Sequence, residues 1–268
     1  KTNTKIAVLE KEFSENNNSH VFLVETNDQE SALKNVKNLI KKILNDENVS
    51  IQVENETYLE LIIVRPEGKD IKKDSIHALQ DRVKTKPILS DHIFYVIAEA
   101  EKLNPIAANK LLKTIEEPND NVIGFLLTSN ADLILPTIKS RCEQLTLIYD
   151  VSNDLTVPDD LHDKVKKLIE SIENRDHVEF SKIKSEDILK ENFKIVEKLL
   201  KNYYNTACNL TKEKGLDKNL LEKLAKNNTY SQLIRKSHYL NKTFNKLSEN
   251  MNKDLLLEKV FIELKDVK

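Results

Sequence analysis

The sequence predicts an α/β domain on a parallel sheet, followed by an all-α domain. Three observations carry this. Short apolar runs alternate with amphipathic helical stripes through the first 150 residues, the pattern of a parallel sheet covered by helices. From about Asp159 onward no clear strand pattern occurs, and stripes at helical spacing continue to the end. Finally, only three of 268 residues are glycine, Gly68, Gly124 and Gly215. A glycine-rich phosphate loop needs two or three glycines within about eight residues, so that the backbone can turn sharply and approach the phosphates. A Walker A loop and a dinucleotide fingerprint are both excluded.

The elements follow in order. His20–Val24 is a short apolar run, and Ser31–Leu44 carries Leu33, Val36, Leu39, Ile40, Ile43 and Leu44 at helical spacing. Tyr58–Val64 reads as a strand closed by Arg65-Pro66-Glu67-Gly68. Asp74 is the expected cap of a helix that runs to about Thr85 and stops before Pro87. His92–Ala98 is nearly continuous apolar sequence, as in a strand covered on both faces. Asn104-Pro105 supplies a cap and a first-turn proline for a helix ending before Pro118. Val122–Thr128 and Gln144–Ile148 are the last strands. The polar segment Asp150–Pro158 sets a boundary, giving an α/β domain over 1–150, a linker over 151–158 and a helical domain over 159–268. In that domain Leu161–Ile172, Ile188–Leu210, Leu216–Ala225, Leu233–Leu247 and Leu255–Leu264 predict a bundle of about five helices.

Composition narrows the function classes. Charged residues make up 32% of the chain, aromatics 6%, and the net charge is −2. Neither half is basic enough to argue for nucleic-acid binding by itself. Lys166, Lys167, Lys198, Lys201, Arg235 and Lys236 could line a DNA path, but solvated helix faces are the simpler reading. No apolar run approaches about 18 residues, and no signal core opens the sequence, so no membrane association and a reducing cytoplasm are expected. Lys1 in place of Met suggests a trimmed or tagged chain. Two cysteines, Cys142 and Cys208, build neither a disulfide framework nor a four-cysteine zinc site, and the six histidines form no ligand cluster. No metal and no cofactor are expected.

Three segments carry chemistry. The strand FYVIAEAEKL ends in acids, the layout that delivers carboxylates to Mg²⁺ and an attacking water in phosphoryl-transfer sites. Asn104–Pro118 reads NPIAANKLLKTIEEP, and Leu126–Cys142 reads LLTSNADLILPTIKSRC. In this order and spacing they resemble the clamp-loader branch of the AAA+ family. The matching elements are Glu101-Lys102-Leu103, the Ala108–Pro118 helix and Leu135-Pro136-Thr137-Ile138-Lys139-Ser140-Arg141-Cys142. The resemblance covers about residues 18–148. It implies a RecA-like AAA+ domain and a C-terminal helical collar. It also implies that Arg141 is an arginine finger serving a neighbouring subunit's ATP, with Ser140 and Cys142 positioning the loop. A guanidinium suits that role, being always charged, planar and rich in donors. A surface salt bridge is the alternative for Arg141. Cys142 has no histidine placed beside it by any motif, which argues against a cysteine nucleophile.

The departures from the family are equally specific. Where an ATPase subunit has its glycine-rich loop and Lys-Thr, this chain reads Glu25-Thr26-Asn27-Asp28 and continues Gln29-Glu30-Ser31. Acids there would repel a triphosphate. The metal-binding aspartate position holds Ala98, beside Glu99, and Thr128 falls at the family's sensor position. The zinc-module stretch, Asn45–Thr57, has no cysteine. Only about 110 residues follow Asp159, so the lid domain is expected to be shortened or absent. The implied function is a non-hydrolysing subunit that supports sliding-clamp loading onto primer-template DNA. Its implied partners are tau/gamma-type ATPase subunits and a delta subunit. An active ATPase of the same branch, or an AAA+-derived interaction scaffold in another complex, are the alternatives.

Overall fold

The structure, a computed structural model, describes residues 20–117, 119–149, 157–209, 216–244 and 252–267. The chain divides into two compact units between Leu147 and Ile148. Most of the 151–158 segment lies outside the described residues.

In the first unit β1 (Val21–Thr26) leads into α1 (Gln29–Leu44) and α2 (Glu47–Glu54). Then follow β2 (Leu61–Val64), α3 (Lys73–Val83), β3 (Ile93–Ile97), α4 (Pro105–Glu116), β4 (Val122–Thr128), the one-turn α5 (Pro136–Lys139) and β5 (Glu143–Leu147). All five strands are parallel, in the order β2-β3-β4-β1-β5. β3 and β4 are buried along their whole length, which explains their unbroken apolar sequence. Alternate β1 side chains serve the two faces. Val21 and Leu23 pack in one cluster with Ile76, Leu79, Leu111 and Ile115 of α3 and α4. On the other face Phe22 stacks on Phe125, their ring centroids 5.5 Å apart.

Asn104 caps α4 as expected, accepting from the Ala107 amide at 2.8 Å, with Pro105 in the first turn. Helix α4 stops at Glu116; Pro118 itself lies outside the described residues. The Asp74 cap is corrected: α3 begins at Lys73 behind Lys72, which makes no side-chain cap. Asp74 instead sits in the first turn, where a carboxylate complements the helix dipole. The strand expected over Tyr58–Val64 is only Leu61–Val64, because Tyr58 and Glu60 turn their side chains to each other at 3.0 Å. α2 was not anticipated, since only Val53 of it is buried and its apolar stripe is faint.

The second unit contains seven helices among the described residues rather than five. They are α6 (Asp159–Glu173), α7 (His177–Lys184), α8 (Asp187–Glu191), α9 (Phe193–Asn209), α10 (Lys218–Asn227), α11 (Tyr230–Phe244) and α12 (Lys253–Lys265). The single helix expected over Ile188–Leu210 breaks at Asn192, whose side-chain amide donates to the Ile188 carbonyl at 3.0 Å. α7 escaped notice because it buries only Phe180 and Ile183. Leu210 and the end of the Leu233–Leu247 stripe lie outside the described residues. One hydrophobic cluster, from Leu161 to Leu264, unites the helices.

Two candidate DNA-path lysines are neither on such a path nor on solvated faces. Lys236 is buried against Glu173 at 2.8 Å, and Lys201 against Glu197 at 2.8 Å. Tyr204 and Asn228 also donate to Glu173, so the buried carboxylate is well satisfied. No helix among the described residues is long and apolar enough to cross a membrane.

Candidate functional site

The C-terminal ends of β1, β3 and β4 form the edge where an open α/β sheet offers a ligand crevice. Only Asn27 and Asp28 separate β1 from α1. Such a helix start can bind phosphate because its first amides are free and the dipole favours an anion. Here the chain uses its own carboxylate. Asp28 accepts from the Ser31 amide at 3.0 Å and from the Ser31 hydroxyl at 2.8 Å. Thr26 Oγ1 in turn accepts from the Asp28 amide at 3.2 Å, and Thr26 and Asn27 are fully buried.

The rest of the crevice is tied across by side chains. Glu25 reaches over to accept from the Ala131 amide at 3.0 Å. Gln29 accepts from the Glu99 amide at 2.7 Å and donates to Glu101 at 3.2 Å. Ser129 donates to the same Glu101 oxygen at 2.7 Å. Ala98 brings no carboxylate, and its amide donates to the Val64 carbonyl at 2.9 Å. Glu99 adopts a left-handed backbone (φ 53°), and its carboxylate pairs with Lys102 at 2.7 Å. Thr128 is buried, its hydroxyl accepting from the Asn130 amide at 3.1 Å. Four carboxylates line this edge, and hydrogen bonds from Gln29, Ser129 and the Glu99 amide cross it. These residues do not fit a nucleoside triphosphate with Mg²⁺. Nor do the described residues include a group of three or more His, Cys, Asp or Glu arranged for a metal ion.

Arg141 sits at the opposite edge. α5 starts on Pro136 and is closed by a turn in which the Ser140 amide donates to Pro136 O at 3.0 Å and the Arg141 amide to Ile138 O at 3.0 Å. Ile138 beneath is buried, and Cys142 packs on the same core. Burial pushes the Cys142 thiol up to about 12. It remains a thiol at neutral pH, the form that is a poor nucleophile. Tyr95, buried inside the sheet, belongs to the same apolar cluster, and burial pushes the ionisation of its hydroxyl up. A Cβ added at Gly124 would fall on the Tyr95 ring, so this glycine makes room for an aromatic under the turn.

The Arg141 side chain projects out and is 41% exposed. Its Nη1 donates to Thr137 O at 2.9 Å and to Ser140 Oγ at 3.3 Å, and its Nη2 lies 3.0 Å from Glu116 Oε1. In the sheet register Glu143 is level with Phe22, four residues before Thr26. At about 3.3 Å per residue, Arg141 is therefore more than about 13 Å from its own chain's β1–α1 turn.

Sequence reasoning located both edges yet missed Gln29, Ser129, Tyr95 and Glu116. Gln29, Ser129 and Glu116 act through contacts distant in sequence, which no local pattern reveals. For Tyr95 a signal was present: the paired strands put it opposite Gly124, a glycine inside a buried strand, which marks a close approach.

A five-stranded parallel sheet followed by a helical unit is the architecture that the sequence predicts. The family model described as DNA polymerase III, delta subunit, matches residues 1–150, and the chain belongs to that family as a delta-prime-type clamp-loader subunit. It is 37% identical over 94 residues to the DNA polymerase III subunit delta' of Bacillus subtilis, an alignment covering 35% of this chain and 29% of that protein. It is 34% identical over 90 residues to the Pseudomonas aeruginosa delta' subunit, covering 33% and 27%. The Bacillus subtilis tau subunit shares 39% over 71 residues, covering 26% and 13%. These alignments span less than a third of each relative's length.

Proposed function

We propose that this chain is a non-hydrolysing subunit of the DNA polymerase III clamp loader, supporting sliding-clamp loading at primer-template junctions. In this reading Arg141 acts in trans on ATP held by an adjacent tau/gamma-type subunit, next to a delta subunit in the same assembly, in the cytoplasm. The carrying observation is the opposition of the two sheet edges. The chain's own phosphate turn is capped by Asp28 and bridged by Gln29, whereas Arg141 is exposed on a rigid turn at the far edge. Ser140 and Cys142 position the finger, one by hydrogen bond and one by packing, half-buried, against the core. The second unit, over 159–268, acts as the collar that joins the ring, with the lid reduced.

A guanidinium delivered to the γ-phosphate from outside stabilises the charge developing on its oxygens; such fingers contribute about 10³-fold or more to the rate at their site. Arg141→Ala in the reconstituted complex is expected to preserve assembly and cut ATP turnover, with the total loss limited because other sites keep their own fingers. Unchanged turnover would remove Arg141 from the mechanism. Titration of the purified chain with labelled ATP is expected to show no Mg²⁺-dependent binding; tight binding would favour the active-ATPase reading instead.

A further inference from the structure

The guanidinium of Arg141 is already occupied. Glu116 faces it across 3.0 Å, Thr137 O and Ser140 Oγ take the other nitrogen, and both charged side chains are partly exposed. Glu116 is an odd residue for its place, because it ends α4 at the helix C-terminus. A carboxylate there opposes the helix dipole, and the following residue, Glu117, is a second acid. The local helix offers no reason for this acid, whereas the arginine across the gap does.

The other finger contacts are of a different kind. Thr137 O and Ser140 Oγ belong to the turn and are neutral, so they orient the side chain without cancelling its charge. Glu116 cancels it. An arginine that must stabilise an anionic phosphate cannot do so fully while its charge is balanced by a carboxylate. The exchange is physically accessible. Partly exposed ion pairs are weak, and the Glu116 side chain has solvent to swing into.

We propose that Glu116 is a positioning residue that holds Arg141 in a charge-neutralised resting arrangement and must release it before the finger can reach a neighbour's triphosphate. This rests on the finger role given above. Glu116 thereby sets the resting turnover of the assembled loader, keeping it low until the neighbour's phosphate comes close enough to displace the carboxylate.

The test is ATP turnover of the complex reconstituted with the tau/gamma-type and delta subunits, without clamp or DNA. Glu116→Gln keeps the side chain's shape and removes its charge. It is expected to raise turnover about two- to fivefold, the population shift available from breaking a partly exposed pair. A purely structural Glu116 would give no rise. Arg141→Ala and the double variant Glu116→Gln/Arg141→Ala are expected to turn over at one and the same lowered rate. Raising the salt concentration should bring the parent toward Glu116→Gln, because screening loosens the pair. If Arg141→Ala lowers turnover while Glu116→Gln leaves it unchanged or lowers it, the holding role is overturned and the finger stands. If Arg141→Ala has no effect, the finger itself falls, and the Glu116 proposal falls with it.

Discussion

The two edges of one sheet have opposite characters. At the C-terminal edge three side chains beside the β1–α1 turn bond back into the chain: Asp28 onto its own helix start, Gln29 onto Glu99 and Glu101, Glu25 onto Ala131. At the N-terminal edge the Ser140–Cys142 turn is anchored from below by Ile138 and Cys142 and leaves a guanidinium outside. On the proposed reading, a scaffold that no longer holds nucleotide still offers a guanidinium to a neighbour. A nucleotide pocket needs many groups converging on free backbone amides, and here Asp28 takes the Ser31 amide while Gln29 and Ser129 bond to the acids opposite. A finger needs only one side chain on a stiff support.

The largest effect should come from disturbing what lies beneath the N-terminal edge. Gly124→Ala would put a methyl into the ring of Tyr95, a fully buried side chain on a strand buried along its whole length. Overpacking at such a position costs about 3 kcal/mol. Chemical denaturation is expected to show that loss. In the variant that still folds, Cys142 should react faster with a thiol reagent, because its cover has shifted. A stability change under 1 kcal/mol would mean that the sheet and turn are less tightly coupled than the packing indicates.

The next effect is smaller and confined to the other edge. Asp28→Ala removes the side-chain cap of α1 and leaves the Ser31 amide unpaired. The expected cost is about 1 kcal/mol, typical of a lost N-cap. ATP binding should not appear, since Gln29, Glu101 and Ser129 still bridge the crevice. Mg²⁺-dependent nucleotide binding gained by this single change would show that Asp28 alone had closed the site.

Much of this was readable from sequence, though unevenly. The strand Val122–Thr128 and the Asn104-Pro105 helix start were legible because burial and capping are local properties. Asp74 misled because it lies one position inside the helix, where an acid is also favoured. The helical unit was read as five stripes because Asn192 breaks a continuous apolar pattern by hydrogen bonding rather than by a glycine or proline, and because α7 buries only Phe180 and Ile183. The site was legible as residues but not as partnerships. The acids of the β1–α1 turn and Arg141 stood out in sequence, whereas the Gln29 bridge and the Glu116 contact span roughly 25 to 100 residues and exist only in the fold.

The smallest effect compares two glutamate–arginine pairs. Glu56 meets Arg65 at 2.7 Å and Lys37 at 2.7 Å, and these cations draw its carboxyl from 4.5 down to about 2. Glu116 meets Arg141 alone at a similar distance. The first pair ties α1, the segment after α2 and the end of β2 together; the second joins one helix end to a turn. In the folded chain Glu56 favours the ionised form more than it does unfolded. Its stabilisation is therefore complete above about 4.5 and is lost as the pH falls toward 2. With Arg65 well exposed, screening limits the effect to about 0.5 kcal/mol. Glu56→Gln is expected to lower the urea midpoint slightly at neutral pH, with the gap to the parent closing over that acid window and clamp-loader turnover unaltered. Glu116→Gln should show the converse, little change in midpoint and a clear change in turnover. If both variants moved only stability, the two pairs would be equivalent fasteners, and the N-terminal edge would lose its claim to a separate task.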